Sequence, residues 1–151
     1  MSERILIYGA TGYTGKRIAA EAARLGLDVV LAGRNPDKLK AVAGPLGLET
    51  RVFSLAEGAG EGRSEGRDAP RRIREALGDA RCVLHIAGPF SQTSTPMVDA
   101  CLDAGTHYLD VTGEIDVFEA IARRGPEAEA RGVLLMPGVG FDVVPHPRGV
   151  P

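Results

Sequence analysis

The sequence predicts an α/β fold, a doubly wound parallel sheet of six strands with helices on both faces. Three observations carry this reading. Short apolar runs alternate along the chain with segments of helical period. Several of the runs end in glycine-rich turns. The first of these turns, residues 9–15, sits between a strand pattern and a helix pattern and spaces Gly9, Gly12 and Gly15 three apart. That spacing lets the backbone turn sharply and lets a phosphate approach without meeting a β-carbon.

The elements follow in order. Residues 4–8 form a buried strand, and the helix from about Tyr13 to Leu25 presents Ile18, Ala19, Ala22, Ala23 and Leu25 as an apolar stripe of small residues able to lie close to a sheet. Gly26 stops it. Residues 28–33 are a second strand, apolar on both faces. Asn35 caps the next helix with Pro36 at its first position. Residues 49–54 are the third strand. Between residues 56 and 70 glycine alternates with charge and no apolar period survives, which predicts a flexible loop insertion. A short helix over 71–77, a strand over 82–87, and a helix capped by Thr93 or Ser94 with Pro96 in its first turn come next. Residues 107–111 are the fifth strand, 115–123 and 127–131 are helices, and 133–136 are the sixth strand. The expected strand order is 3-2-1-4-5-6, with ligand beyond the carboxyl ends where the order reverses.

The chain of 151 residues suits one domain with a substantial core. Its net charge of −2 implies no general attraction to nucleic acid or to an anionic membrane. No apolar run nears the ~20 residues of a membrane-spanning helix, and the first residues run straight into a strand rather than a signal peptide. Cys82 and Cys101 read as buried thiols, which goes with a reducing, cytoplasmic setting. The histidines are too dispersed, and the cysteines too far apart, for a metal site.

The glycine loop predicts a dinucleotide. Gly9, Ala10, Thr11 and Gly12, then Tyr13, Thr14 and Gly15, are the expected diphosphate contacts, at the positive end of the helix that follows. The end of the second strand discriminates between the nicotinamide cofactors. An acidic residue there favours NAD, and an arginine pairs with the extra phosphate of NADP. Here Arg34 stands at that end, followed by Asn35, with Lys38 one turn into the helix and Arg17 nearby. The expected cofactor is NADP. At the fourth strand, Ala87 and Gly88 offer backbone contacts, Pro89 a rigid turn and Phe90 apolar packing.

With these residues in view, the chain resembles the N-terminal NADP-binding half of the saccharopine dehydrogenase-like oxidoreductases, a family that includes saccharopine reductases and trans-acting enoyl reductases. The matching stretches are residues 9–15, 31–34, 87–90, 97–101 with 105–110, 111–114 and 137–145. The resemblance implies a Rossmann fold, NADP at the glycine loop, and hydride transfer to or from a small or lipid-like substrate. It also implies that Thr112, Gly113 and Glu114 lie near the nicotinamide end. Two features depart from the family: the charged, glycine-rich 57–68 segment, and the end of the chain soon after residue 145, where a second, substrate-shaping domain is expected. The expected organisation is an NADP-binding domain over 1–145 and an unstructured tail over 146–151.

No complete catalytic set is legible. His85 lies within a strand and reads as core, His107 is ambiguous, and His146 is in the tail. Glu114 and Asp142 sit at strand ends suited to orienting a substrate or exchanging a proton. None of the tyrosines is followed four residues later by a lysine, which weakens a short-chain reductase reading. Three readings stay open: an NADP-dependent oxidoreductase, a non-catalytic NADP-binding module, and a subunit whose substrate domain comes from another chain. Apolar residues 133–136 and 139–144 predict self-association as a homodimer or larger.

Overall fold

Strand β1 (Ile5–Tyr8) runs through the middle of the sheet, with Leu6, Ile7 and Tyr8 buried. In this computed structural model residues 3–55 and 65–140 are described, the side chains of 65–69 excepted. β1 pairs in parallel with β2 (Val29–Gly33) on one side and β4 (Cys82–His85) on the other. β3 (Glu49–Val52), β5 (His107–Asp110) and β6 (Leu135–Met136) extend the sheet to the order β3-β2-β1-β4-β5-β6, all parallel. The topology is the one the sequence predicts.

Alternation of side chains along β1 splits the core in two. Ile7, with Val29 and Leu31 of β2, packs on one face against Ala19 and Ala22 of α1 (Tyr13–Arg24) and Leu39 of α2 (Pro36–Ala43). Leu6 and Tyr8 face the other way, toward Ile73 and Leu77 of α3 (Glu65–Leu77) and Met97, Val98 and Cys101 of α4 (Phe90–Ala104). Helices α5 (Ile115–Ala122) and α6 (Gly125–Arg131) add Val117, Ile121 and Ala128 to that second core. All five residues of β2 are buried, as expected of a strand covered on both faces.

Leu25, expected on the apolar stripe of α1, is instead its exposed C-cap. Three helices start earlier than the sequence suggests, α6 by two residues at Gly125 and the other two by more. α3 begins at Glu65, not near Arg71, and runs through Pro70, so it takes in the end of the stretch expected to be a loop. Pro70 lies in its second turn, where it removes one backbone hydrogen bond, and the helix is anchored downstream by fully buried Ile73 and Leu77. The rest of the expected insertion, residues 56–64, lies outside the described residues, as do residues 141–151 with the expected tail. α4 begins at Phe90 with Pro89 as N-cap, not at Thr93 or Ser94, and Pro96 sits inside it. The cap comes from a distant element: the Glu114 carboxylate accepts from the N–H of Phe90 at 2.8 Å and of Ser91 at 3.0 Å. Asn35 caps α2 as expected, its Oδ1 accepting from Lys38 N at 2.9 Å.

Candidate functional site

The carboxyl ends of β1, β2 and β4 open onto a cleft of about 390 Å³. Seven of the sequence-predicted residues line it: Gly9, Thr11, Gly12, Arg34, Ala87, Gly88 and Pro89. Tyr8, Gly33, Leu55, Ile86, Gln92 and Thr93 complete the wall. The cleft therefore lies at the point where strand order reverses, between β1 and β4.

The three loop glycines do different things. Gly9 has φ +94°, and a β-carbon on it would stand 2.9 Å from Ala87 N and from Ile86 C. A β-carbon on Gly15 would run into Gly9 O and the Ala10 backbone, so α1 packs directly on the turn. Both are demanded by the fold. Gly12 is not: a β-carbon there meets only Gly9 O, at 3.5 Å, an ordinary contact. Gly12 is the N-cap of α1, with no side-chain cap and no acidic residue in the first turn. The leading N–H groups of the helix thus face an open approach, with the positive end of the dipole behind them.

Arg34 leaves the end of β2 exposed at the rim of the cleft. Among the described residues its guanidinium has no ion-pair partner, which it shares with Arg17, Arg72, Arg74 and Arg81, none of them on this cleft, whereas Arg4, Arg24, Arg51, Arg71, Arg123, Arg124 and Arg131 are paired. Asn35 and Lys38 follow it, exposed, on the first turn of α2. Arg17 is turned elsewhere, its guanidinium 4.9 Å from the ring centre of Tyr13. Tyr13 itself is exposed, Ala10 is fully buried beneath the loop, and Thr14 is exposed on α1. This donor set fits a dinucleotide carrying one further phosphate.

Thr112, Gly113 and Glu114 stand one strand along, after β5, outside the cleft lining. They join it through hydrogen bonds. Glu114 holds the start of α4, Glu114 N donates to Thr112 Oγ1 at 3.1 Å, and Thr112 N donates to Asp110 Oδ1 at 3.0 Å. Asp110, fully buried, also accepts from Tyr108 OH at 2.6 Å and from Gly138 N at 2.9 Å, tying β5 to the turn after β6. The backbone bonds from Phe90 and Ser91 hold the Glu114 carboxyl below the usual carboxylate range.

The histidines resolve into structural positions. His85 is fully buried, its ring set among those of Tyr8, Phe90 and Tyr108, and burial lowers its pKa to about 4. His107 Nδ1 accepts from Leu134 N at 3.1 Å. Burial pushes the Cys82 thiol up to about 11 and Cys101 higher still, so neither is a thiolate at neutral pH. Asp142 and His146 lie outside the described residues. Among the described residues no group of three or more His, Cys, Asp and Glu could hold a metal ion, and no helix is long and apolar enough to cross a membrane. Sequence reasoning missed Tyr8, Leu55, Gln92 and Thr93 as wall residues. Tyr8 had a signal, as the residue just before the loop. Thr93 had none beyond its distance from the Gly-Pro turn.

Fold and cleft together define a dinucleotide-binding Rossmann domain. Residues 5–136 match the family described as the saccharopine dehydrogenase NADP binding domain. The chain belongs to that family of oxidoreductases, and its cofactor is NADP. It is 32% identical over 149 residues to the trans-acting enoyl reductase of Mycobacterium leprae, covering 97% of this chain and 34% of that protein. It is 30% identical over 159 residues to a saccharopine dehydrogenase-like oxidoreductase of Arabidopsis thaliana, covering 97% and 33%. Among solved structures, apo saccharopine dehydrogenase from Saccharomyces cerevisiae superposes with a TM-score of 0.72 at 17% identity, covering 94% of this chain and 28% of that one. The chain thus spans about a third of the length of the curated relatives it matches.

Proposed function

We propose that the cleft holds NADP(H) with its diphosphate on the loop of residues 9–15 and its 2′-phosphate on Arg34, and that the chain serves hydride transfer between NADP(H) and a small or lipid-like substrate. The observation that carries this reading is the unpaired Arg34 guanidinium on the same cleft as the bare N-terminus of α1. Lys38 and the N–H of Asn35 support the same phosphate. Ala87, Gly88 and Pro89 pass along the cofactor, Phe90 packs behind them, and Thr112, Gly113 and Glu114 lie toward the nicotinamide. The bound cofactor supplies the hydride. The chain supplies position and electrostatics.

A second reading, an NADP-binding module without turnover, is favoured by one observation. Three of the described groups that could exchange a proton near the strand ends are engaged: Tyr8 OH donates to Phe53 O, His85 is sealed in, and Glu114 caps α4. NADPH oxidation followed against imine, enoyl and keto substrates separates the two. Turnover with any class establishes the oxidoreductase, and tight NADPH binding with no turnover across the panel establishes the module.

Self-association belongs to the same proposal. The β4–β6 part of the sheet shows a row of Cys82, Leu84, Leu109 and Met136 on the face shared with Ile7, half-buried or exposed, and Leu134 is 48% exposed beside it. An uncovered apolar sheet face favours a homodimer or larger. A cytoplasmic location goes with this reading.

A further inference from the structure

We propose that His85 and Thr93 form a positioning pair that sets the width of the nucleotide cleft. Thr93 lines the cleft from the first turn of α4. Its hydroxyl oxygen lies 2.8 Å from Ala87 O and 3.0 Å from Pro89 O, the two carbonyls that flank Gly88. A carbonyl cannot donate, so the single hydroxyl proton goes to these oxygens. The hydroxyl oxygen also lies 2.9 Å from His85 Nε2. With its proton spent, it accepts there, and Nε2 must carry the hydrogen. Nδ1 is then the bare nitrogen, and among the described residues Nδ1 is the buried side-chain atom that lacks a hydrogen-bond partner. A proton on it would find no acceptor among the rings of Tyr8, Phe90 and Tyr108. The tautomer and the direction of both hydrogen bonds are therefore fixed by the surroundings.

The pair controls a tight place. Ala87 N stands 2.9 Å from where a Gly9 β-carbon would be, so the glycine loop and the turn of residues 87–89 already touch. Thr93 holds the carbonyl of that same Ala87, and His85 at the end of β4 holds Thr93. Releasing the hydroxyl frees the turn to shift toward or away from the loop, across the path of the cofactor. Packing alone does not need this: a valine at 93 has the same shape. The inference rests on NADP occupying this cleft, but the tautomer does not.

Two measurements test it. The first is NADPH titration by calorimetry of the wild type, Thr93→Val, Thr93→Ser, His85→Phe and the Thr93→Val/His85→Phe double variant, each first confirmed folded by circular dichroism. Thr93→Val is expected to weaken NADPH about tenfold, because the carbonyls of the turn and His85 Nε2 lose their shared partner together. Thr93→Ser is expected to stay within about twofold. The double variant is expected to bind no worse than Thr93→Val alone, because the two act as one unit. Wild-type binding with Thr93→Val within twofold of it, or additive losses, overturns the pair, whereas a wild type that does not bind NADPH overturns the proposed cofactor site. The second is the 15N spectrum of the His85 ring. A neutral Nε2–H tautomer from pH 5 to 8 is expected, and an Nδ1–H tautomer or a titration in that range overturns the pair whatever NADPH does.

Discussion

The backbone nitrogen of Ala87 lies so close to Gly9 that a β-carbon on the glycine would stand 2.9 Å from it. Gly12, three residues on, has no such neighbour. The contrast separates what the fold needs from what the ligand needs. Gly9→Ala is expected to lower stability by about 2 kcal/mol or more, through the clash and the positive φ together. Gly12→Ala is expected to lower the melting temperature by no more than about 4 °C, the cost of an alanine at an exposed N-cap, and to weaken NADPH at least tenfold by standing a methyl group where the diphosphate approaches. Thermal melts beside NADPH titrations check both.

Glu114 contributes through its charge. Its folded pKa is lowered by the N–H groups of Phe90 and Ser91, so its stabilisation is present above the ordinary carboxylate value of 4.5 and is lost as pH falls through the lower, folded value. Glu114→Gln is expected to melt below wild type at pH 7, with the gap closing in acid below pH 4.5. A gap that is the same at pH 7 and in acid would mean that the carboxylate charge is not what holds α4.

Asp110 accepts three hydrogen bonds in the core, from Tyr108 OH, Thr112 N and Gly138 N. Asp110→Ala leaves these donors without a partner and is expected to cost about 3 kcal/mol. Asp110→Asn is expected to cost about 1 kcal/mol, because its oxygen can still face the two amides while its NH₂ donates to the Tyr108 hydroxyl. Urea denaturation of the two variants checks the ranking.

Arg51 works at the opposite end of the sheet. Its guanidinium donates to Ala76 O and Leu77 O at the end of α3 and pairs with Asp79 at 2.7 Å, beside Arg4 with its own pairs to Asp28, Glu49 and Asp79. Arg51→Met is expected to lower stability by about 1–2 kcal/mol, because two carbonyls and a partly buried network lose their donor. NADPH affinity is expected to stay unchanged, since the network sits at the amino ends of the strands, away from the cleft.

What the sequence makes legible is what is encoded locally. Gly9, Gly12 and Gly15 mark their turn by spacing, Asn35 and Pro36 mark the start of α2, and Arg34 stands at a strand end that can be counted. Alternation of strand and helix makes the sheet parallel, and the glycine loop after the first strand then selects the strand order. What escapes is carried by contacts between distant segments. α4 starts at Phe90 because Glu114, 24 residues away in sequence, supplies its cap, so no Ser, Thr, Asp or Asn stands at its N-cap. Asp110 reads as one more strand residue until Gly138, 28 residues on, is seen to bind it. α3 hides because glycine alternating with charge has no apolar period and Pro70 reads as a stop, while Ile73 and Leu77 anchor it from beyond.

Arg34 is the residue expected to tell NADPH from NADH. Titration of the wild type and of Arg34→Ala with NADPH and NADH, in one buffer of fixed ionic strength, tests it. The expected result is a clear preference of the wild type for NADPH, reduced at least tenfold in Arg34→Ala by loss of a charge-assisted bond of about 1.5–3 kcal/mol, with NADH affinity little changed. Equal affinity of the wild type for both nucleotides, or a preference that survives the loss of Arg34, would contradict it.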